Sequence, residues 1–404
     1  MLKKRIRPYL LILILTALAV SPAFALGEGN RNLLLIGVMG LSPIIILYFG
    51  RFDRINPWLA FFMVSIIIFP LIYQPQSMRW STVLYAIMFC LTFIAYKELL
   101  YHSKFTVIHY YKLLKYLIYA YFIVLLIQQF CVLTGLPIFN LSNYNPITPW
   151  KLNSLSAEPS HTARVVALLL YSYITIKELL LDRSYNFRLD FKKDKWVWIA
   201  FFWTMVTMGS GTAFLFIGVV LLKLIRFKNF IPFLIIGCVM FVIVDFVGSN
   251  SINRTYNVVL ATASLDESII IEADHSASFR IVPMIVLAKM LDVTTLNGWF
   301  GYGIDYVSTF MSNFIKGGGD KVSGGGLFAL AIEYGLVSFF LFIIFSIKAC
   351  YDKNDRLLSV IFWFLLVFMM GVNIQITWLC IILLISNKMF KQLLKKKPLK
   401  KKIP

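Results

Sequence analysis

The sequence predicts an all-α polytopic membrane protein of about twelve transmembrane helices, with a large outer loop between the ninth and tenth spans. Three observations predict it. Of 404 residues, 59% are hydrophobic and only 14% charged, whereas a soluble domain carries about a quarter charged residues. Apolar runs near the length that crosses a hydrocarbon core of about 30 Å recur along the chain. The basic residues gather in alternate connections between those runs, as they do in the cytoplasmic loops of membrane proteins.

Taken in order, the apolar runs fall near 8–26, 32–50, 56–73, 80–96, 114–135, 163–181, 196–208, 212–225, 229–247, 326–347, 357–370 and 372–387. The first follows a basic stretch from Met1 to Arg7 and precedes Ala23-Phe24-Ala25. That order imitates a secretory signal; we expect an uncleaved first helix, and cleavage would leave the remaining topology unchanged. Residues 196–225 and 357–387 are too long for one perpendicular span and short for two. Each is expected to form a hairpin of two short helices, turning at Gly209-Ser210-Gly211 and near Gly371-Val372-Asn373. Lys97 to Tyr111 mixes lysines, histidines and aromatics, a composition suited to an interfacial helix.

With both termini inside, thirty of the 39 lysines and arginines fall in cytoplasmic segments and nine outside. A net charge of +20 is therefore a sidedness signal and not a nucleic-acid footprint. The tail 388–404 is expected to rest near anionic membrane lipid. The five cysteines show no CxxC spacing, so neither a disulfide framework nor a thiolate metal site is indicated.

Two outer segments are long, 135–161 and 249–325, and long loops in compact proteins usually carry function. The second holds amphipathic stretches around 276–292 and 303–316. Gly317-Gly318-Gly319 and Gly324-Gly325-Gly326 read as flexible hinges flanking re-entry into the membrane.

Candidate chemistry gathers at three places. In the first, Pro159 suits the first turn of a helix, which sets Glu158, His161 and Arg164 three apart on one face. The helix start there favours anions; the bland alternative is a capped helix with snorkelling polar residues. In the second, Asp274-His275-Ser276-Ala277-Ser278-Phe279-Arg280 opens an amphipathic helix that Ser276 is placed to cap. Arg280 then faces lipid phosphate or a bound phosphate, for which a guanidinium is the natural clamp. In the third, Gly298 to Asp305 contains three glycines that permit a sharp turn ordering Tyr302 and Asp305; no preceding strand makes it a dinucleotide fingerprint. His161 and His275 with Glu158 and Asp274 lack a spacing that demands a metal, and none is expected. Asp245, near the outer end of a span, reads either as an intramembrane functional carboxylate or as a hydrated one.

At these places the chain resembles the Wzy-type O-antigen and capsular polysaccharide polymerases, which share a glycosyltransferase-C-like superfamily with the O-antigen ligases. The resemblance rests on Glu158-Pro159-Ser160, the Ser/Arg segment ending in Arg280, Gly301-Tyr302-Gly303, and Glu333-Tyr334-Gly335-Leu336, in that order across about residues 150–350. It implies an undecaprenyl-pyrophosphate-linked oligosaccharide as substrate, a chain-length regulator as partner, and no cofactor, metal or nucleotide sugar. By the same resemblance Arg280 holds the donor pyrophosphate, with Arg164 as a second phosphate contact by position. Glu158 and His161 orient or deprotonate the acceptor hydroxyl; Asp274, His275, Tyr302 and Asp305 belong to substrate binding. The first hairpin turn reads Gly209-Ser210-Gly211-Thr212, where that family often has an arginine beside the serine. An O-antigen ligase is the near alternative. A transporter or lipid-linked glycan flippase is the distant one, since Gly50-Arg51-Phe52-Asp53-Arg54 resembles a loop motif of the major facilitator superfamily. Transporters place ionisable residues at mid-membrane, whereas here the polar residues gather outside.

Overall fold

The structure is a computed structural model, and it describes residues 2–20, 32–49, 56–140, 144, 146–224, 260–273, 275–311 and 324–396, with backbone alone over 2–5, 275–280 and 395–396. The described residues form helices and connecting turns, without a strand. In order these are α1 (Leu2–Ala19), α2 (Leu33–Phe49), α3 (Pro57–Tyr73), α4 (Trp80–His102), α5 (Val107–Thr134), α6 (Pro159–Leu181), α7 (Phe187–Thr207) and α8 (Gly211–Leu222). They continue with α9 (Glu267–Ala273), α10 (His275–Lys289), α11 (Leu296–Phe300), α12 (Tyr306–Met311), α13 (Gly326–Cys350), α14 (Arg356–Trp363) and α15 (Gln375–Lys396). Four helices are long and apolar enough to cross a membrane: α4, α5, α13 and α15 over Gln375–Leu394. Five shorter apolar helices, within α1, α2, α3, α8 and the segment Arg356–Phe368, accompany them. The expected span 229–247, with Asp245, lies outside the described residues.

Helix α6 is the axis of the bundle. It packs against α5, α7, α8 and α15, and its residues from Pro159 to Lys177 are buried except His161. A helix apolar on all sides is stable only when other helices surround it. Helix α1 joins the same core: Leu11, Ile14, Leu15 and Leu18 are wholly buried. The Gln375 amide donates to the carbonyls of Ala17 (3.0 Å) and Leu18 (2.7 Å), satisfying oxygens that the end of α1 leaves unpaired.

One end of the bundle collects ion pairs between the connections expected inside. Arg183 grips Asp190 through two bonds of 2.6 and 2.9 Å, and Lys177 pairs with Asp194, which also accepts from Tyr173 and Tyr185 at 2.9 Å. Lys223 joins Glu178 (3.1 Å) and Asp355, while Lys391 of α15 reaches Asp352. Burial opposes ionisation of Asp352, yet Lys391 and the Asn354 N–H outweigh it and hold its pKa below the usual carboxylate range.

Both expected hairpins form, with differences in length. The first turns at Met208, Gly209 and Ser210, but α7 begins at Phe187 instead of near 196. Asn186 caps it, its side chain accepting from the Arg188 N–H (3.1 Å), and Asp190 and Asp194 find cations, so the charged stretch continues as helix. In the second, a π-turn over Phe364–Phe368 extends α14 to the bend before α15. The interfacial helix expected over Lys97–Tyr111 is absent: Lys97 to His102 finish α4, and Val107 to Tyr111 start α5. Thr106 accounts for the break, because its side chain caps α5 in a reciprocal box with His109.

Candidate functional site

Opposite the ion-paired end, the chain from Asn153 to Ala157 runs as irregular backbone into the protein, with Asn153, Ser154 and Ser156 buried. Non-helical backbone at such depth requires internal partners for its polar groups. Gln128 of α5 supplies two, donating to Asn153 Oδ1 (3.0 Å) and accepting from the Ser154 N–H (2.8 Å). Ser154 Oγ donates to the Tyr121 carbonyl (2.6 Å), and the Tyr121 hydroxyl joins Ser156 Oγ (3.0 Å) and the Ala19 carbonyl (2.5 Å). Asn140 donates to the carbonyls of Ser154 and Ser156, both at 2.8 Å. This plug fixes where α6 starts.

Pro159 opens α6 as the sequence predicts, and Glu158 is its capping residue in extended backbone. The Glu158 side chain does not cap; it accepts from Ser160 Oγ and lies 3.4 Å from His161 Nε2. Both side chains of that pair are partly exposed, 30% and 26%. Arg164, one turn deeper, is only 8% exposed. The expected carboxylate, imidazole and guanidinium therefore do share the first turns of one helix.

The second candidate is described less fully. Asp274 lies outside the described residues, as do the side chains of His275 and Arg280. Helix α10 starts at His275, so Ser276 is already inside it and not its cap. It packs on α9 and α13, where Ile270, Val282, Val286, Leu287, Val307, Met311 and Ile332 form a second small core. The outer segment is thereby seated on α13.

The third candidate is joined to α13 by backbone interlock. Gly335 breaks that helix at φ 85°, and the Trp299 carbonyl fills the space a side chain would need, 2.1 Å from the position of a Cβ. Reciprocally, a Cβ on Gly301 would meet the Glu333 carbonyl at 2.3 Å. The Tyr302 N–H donates to the Ile332 carbonyl (2.8 Å), which the break in α13 leaves free. Phe300 stacks on Tyr73 at 4.4 Å, and Tyr302 on Tyr306 at 5.3 Å. The turn anchors Tyr302 through its backbone N–H and presents Asp305, which binds Arg79 at 2.5 Å; hydrogen bonding to Asp305 raises the pKa of Arg79.

Asp305 and Glu333 line one cleft with Tyr334, Asn373, Thr82 and Ser308, over an apolar floor of Phe62, Ile66, Ala86 and Leu330. Its cavity volume is about 170 Å³. Gly324 and Gly326 line it too. Gly326 is packed so closely against the Phe368 carbonyl that a Cβ would meet it at 2.2 Å. The expected hinge at 324–326 is thus a close backbone contact at Gly326, while Gly317-Gly318-Gly319 lies outside the described residues. None of Glu158, His161 or Arg164 lines this cleft.

Sequence reasoning quoted Glu333, Tyr334 and Asn373 without assigning them to a site, and it missed Arg79. The available signal was Glu333 itself, a carboxylate within an apolar span. No family profile, curated protein or solved structure matches the chain.

Proposed function

We propose that this protein is a polysaccharide polymerase of twelve spans in a bacterial cytoplasmic membrane, with both termini cytoplasmic. It transfers an undecaprenyl-pyrophosphate-linked glycan onto another lipid-linked repeat unit at the outer face. The observation that carries the reading is the interlock of Gly301-Tyr302 with Glu333 to Gly335: two motifs of the resemblance, distant in sequence, each fit only because the other is there. Further support comes from the polar head of α6, opposite the basic end of the bundle.

In this reading an acceptor hydroxyl oxygen attacks the anomeric carbon of the donor glycan. The bond from that carbon to the pyrophosphate oxygen breaks, undecaprenyl pyrophosphate leaves, and Glu158 or His161 takes the hydroxyl proton. Arg280 and Arg164 stabilise charge on the leaving diphosphate, which fixed guanidinium groups in a partly dry site do better than water. A chain-length regulator is the expected protein partner; neither metal nor nucleotide sugar takes part. The lipid tail stays in the bilayer, so the site must open at the membrane face.

Deleting the gene and resolving the surface polysaccharide on a gel tests this. Loss of long chains with single repeat units retained supports a polymerase; complete loss of capped product points to a ligase. An unchanged ladder removes both and favours transport or a structural role.

A further inference from the structure

We infer that the cleft between α3, α4, the Asp305 turn and the break of α13 binds the hydroxyl groups of a neutral sugar ring. The inference rests on the glycan-transfer reading and assigns the sugar a place apart from the diphosphate.

Two residues that line the cleft each hold a buried polar atom with no hydrogen-bond partner among the described residues: the Tyr334 hydroxyl and Asn373 Oδ1. Tyr334 is 3% exposed. Buried polar atoms are rarely left unpaired, and each exception calls for a ligand or water to complete it. Around them stand two carboxylates. Asp305 is engaged by Arg79 at the rim, and the Val307 N–H is directed at Glu333.

The lining therefore offers acceptors together with hydroxyl and amide donors on Tyr334, Thr82, Ser308 and Asn373. A ligand that completes it must both donate and accept, and each sugar hydroxyl does both. The apolar floor of Phe62, Ile66, Ala86 and Leu330 offers a surface for the C–H face of the ring. Among the described residues no lysine or arginine lines the cleft, so the diphosphate belongs with the arginines on α6 and α10. A cation is the competing occupant for the same oxygens.

The test uses full-length protein in lipid nanodiscs and saturation-transfer NMR with glucose, galactose, N-acetylglucosamine and rhamnose. At least one sugar should receive saturation. Tyr334→Phe and Glu333→Gln should each weaken its binding about five- to tenfold, the loss expected for one hydrogen bond. The same sugar should protect Glu333 of the unaltered protein from carbodiimide labelling, a readout that survives if either variant misfolds. Transfer to none of the four sugars overturns the inference, as does undiminished binding in both folded variants. Protection of Glu333 by Ca²⁺ and by no sugar makes the cleft a cation site instead. Sugar binding together with a normal polysaccharide in the deletion strain would keep the cleft and remove the polymerase. Polymer loss on deletion without sugar binding would do the reverse.

Discussion

Replacing Gly335 by alanine isolates the contact that seats the outer segment on α13. At φ 85° and ψ 161° an L-residue is strained, by about 1–3 kcal/mol. The added Cβ would also lie 2.1 Å from the Trp299 carbonyl oxygen and 2.6 Å from Phe300 Cα. Both are backbone atoms held by the Tyr73 stack and the Tyr302 hydrogen bond, so neither can turn aside as a side chain would. Overpacking of this kind adds about 1–3 kcal/mol, giving about 2–6 kcal/mol in all. At roughly 2 °C per kcal/mol for a large chain, the thermal midpoint in detergent should fall by at least about 4 °C. Gly218→Ala is the matched control: its Cβ would meet nothing within 4 Å on the exposed side of α8, and its midpoint should hold or rise slightly. Equal midpoints for Gly335→Ala and the unaltered protein would show that the interlock does not hold the outer segment in place.

Glu158→Ala and Arg280→Ala should each abolish polymer in a gel of surface polysaccharide while protein level holds, and wild-type ladders from both would remove the proposed chemistry. Arg280→Lys should also be impaired, because a point charge does not reproduce a bidentate fork. Gln375→Leu strips the end of α1 of its donor and should destabilise by about 1–3 kcal/mol, read as a lowered midpoint against Gln375→Asn and the unaltered chain. Tyr334→Phe removes a buried hydroxyl that has no partner among the described residues, so the sugar-free midpoint should be unchanged or higher. The depressed pKa of Asp352 makes its tie to Lys391 stabilising above about pH 4. That contribution disappears as pH falls through the lower folded value, so Asp352→Asn should lose less stability than the unaltered protein between pH 7 and acid.

The sequence by itself determined the membrane class, the gathering of basic connections at one end, the start of α6 at Pro159 and the two hairpin turns. Those follow from local facts: apolar length, charge, and where proline and glycine permit or end a helix. It misplaced the segment around Lys97 to Tyr111, because amphipathic composition looks alike in an interfacial helix and in two helix ends meeting at Thr106. Only tertiary structure decided that Trp299 fills the notch at Gly335, that Asn153 to Ser156 plug the bundle beside Tyr121, and that Asp305 faces Glu333. Such pairings depend on backbone approach between segments far apart in the chain. A glycine records that something comes close, but nothing in its neighbours says what.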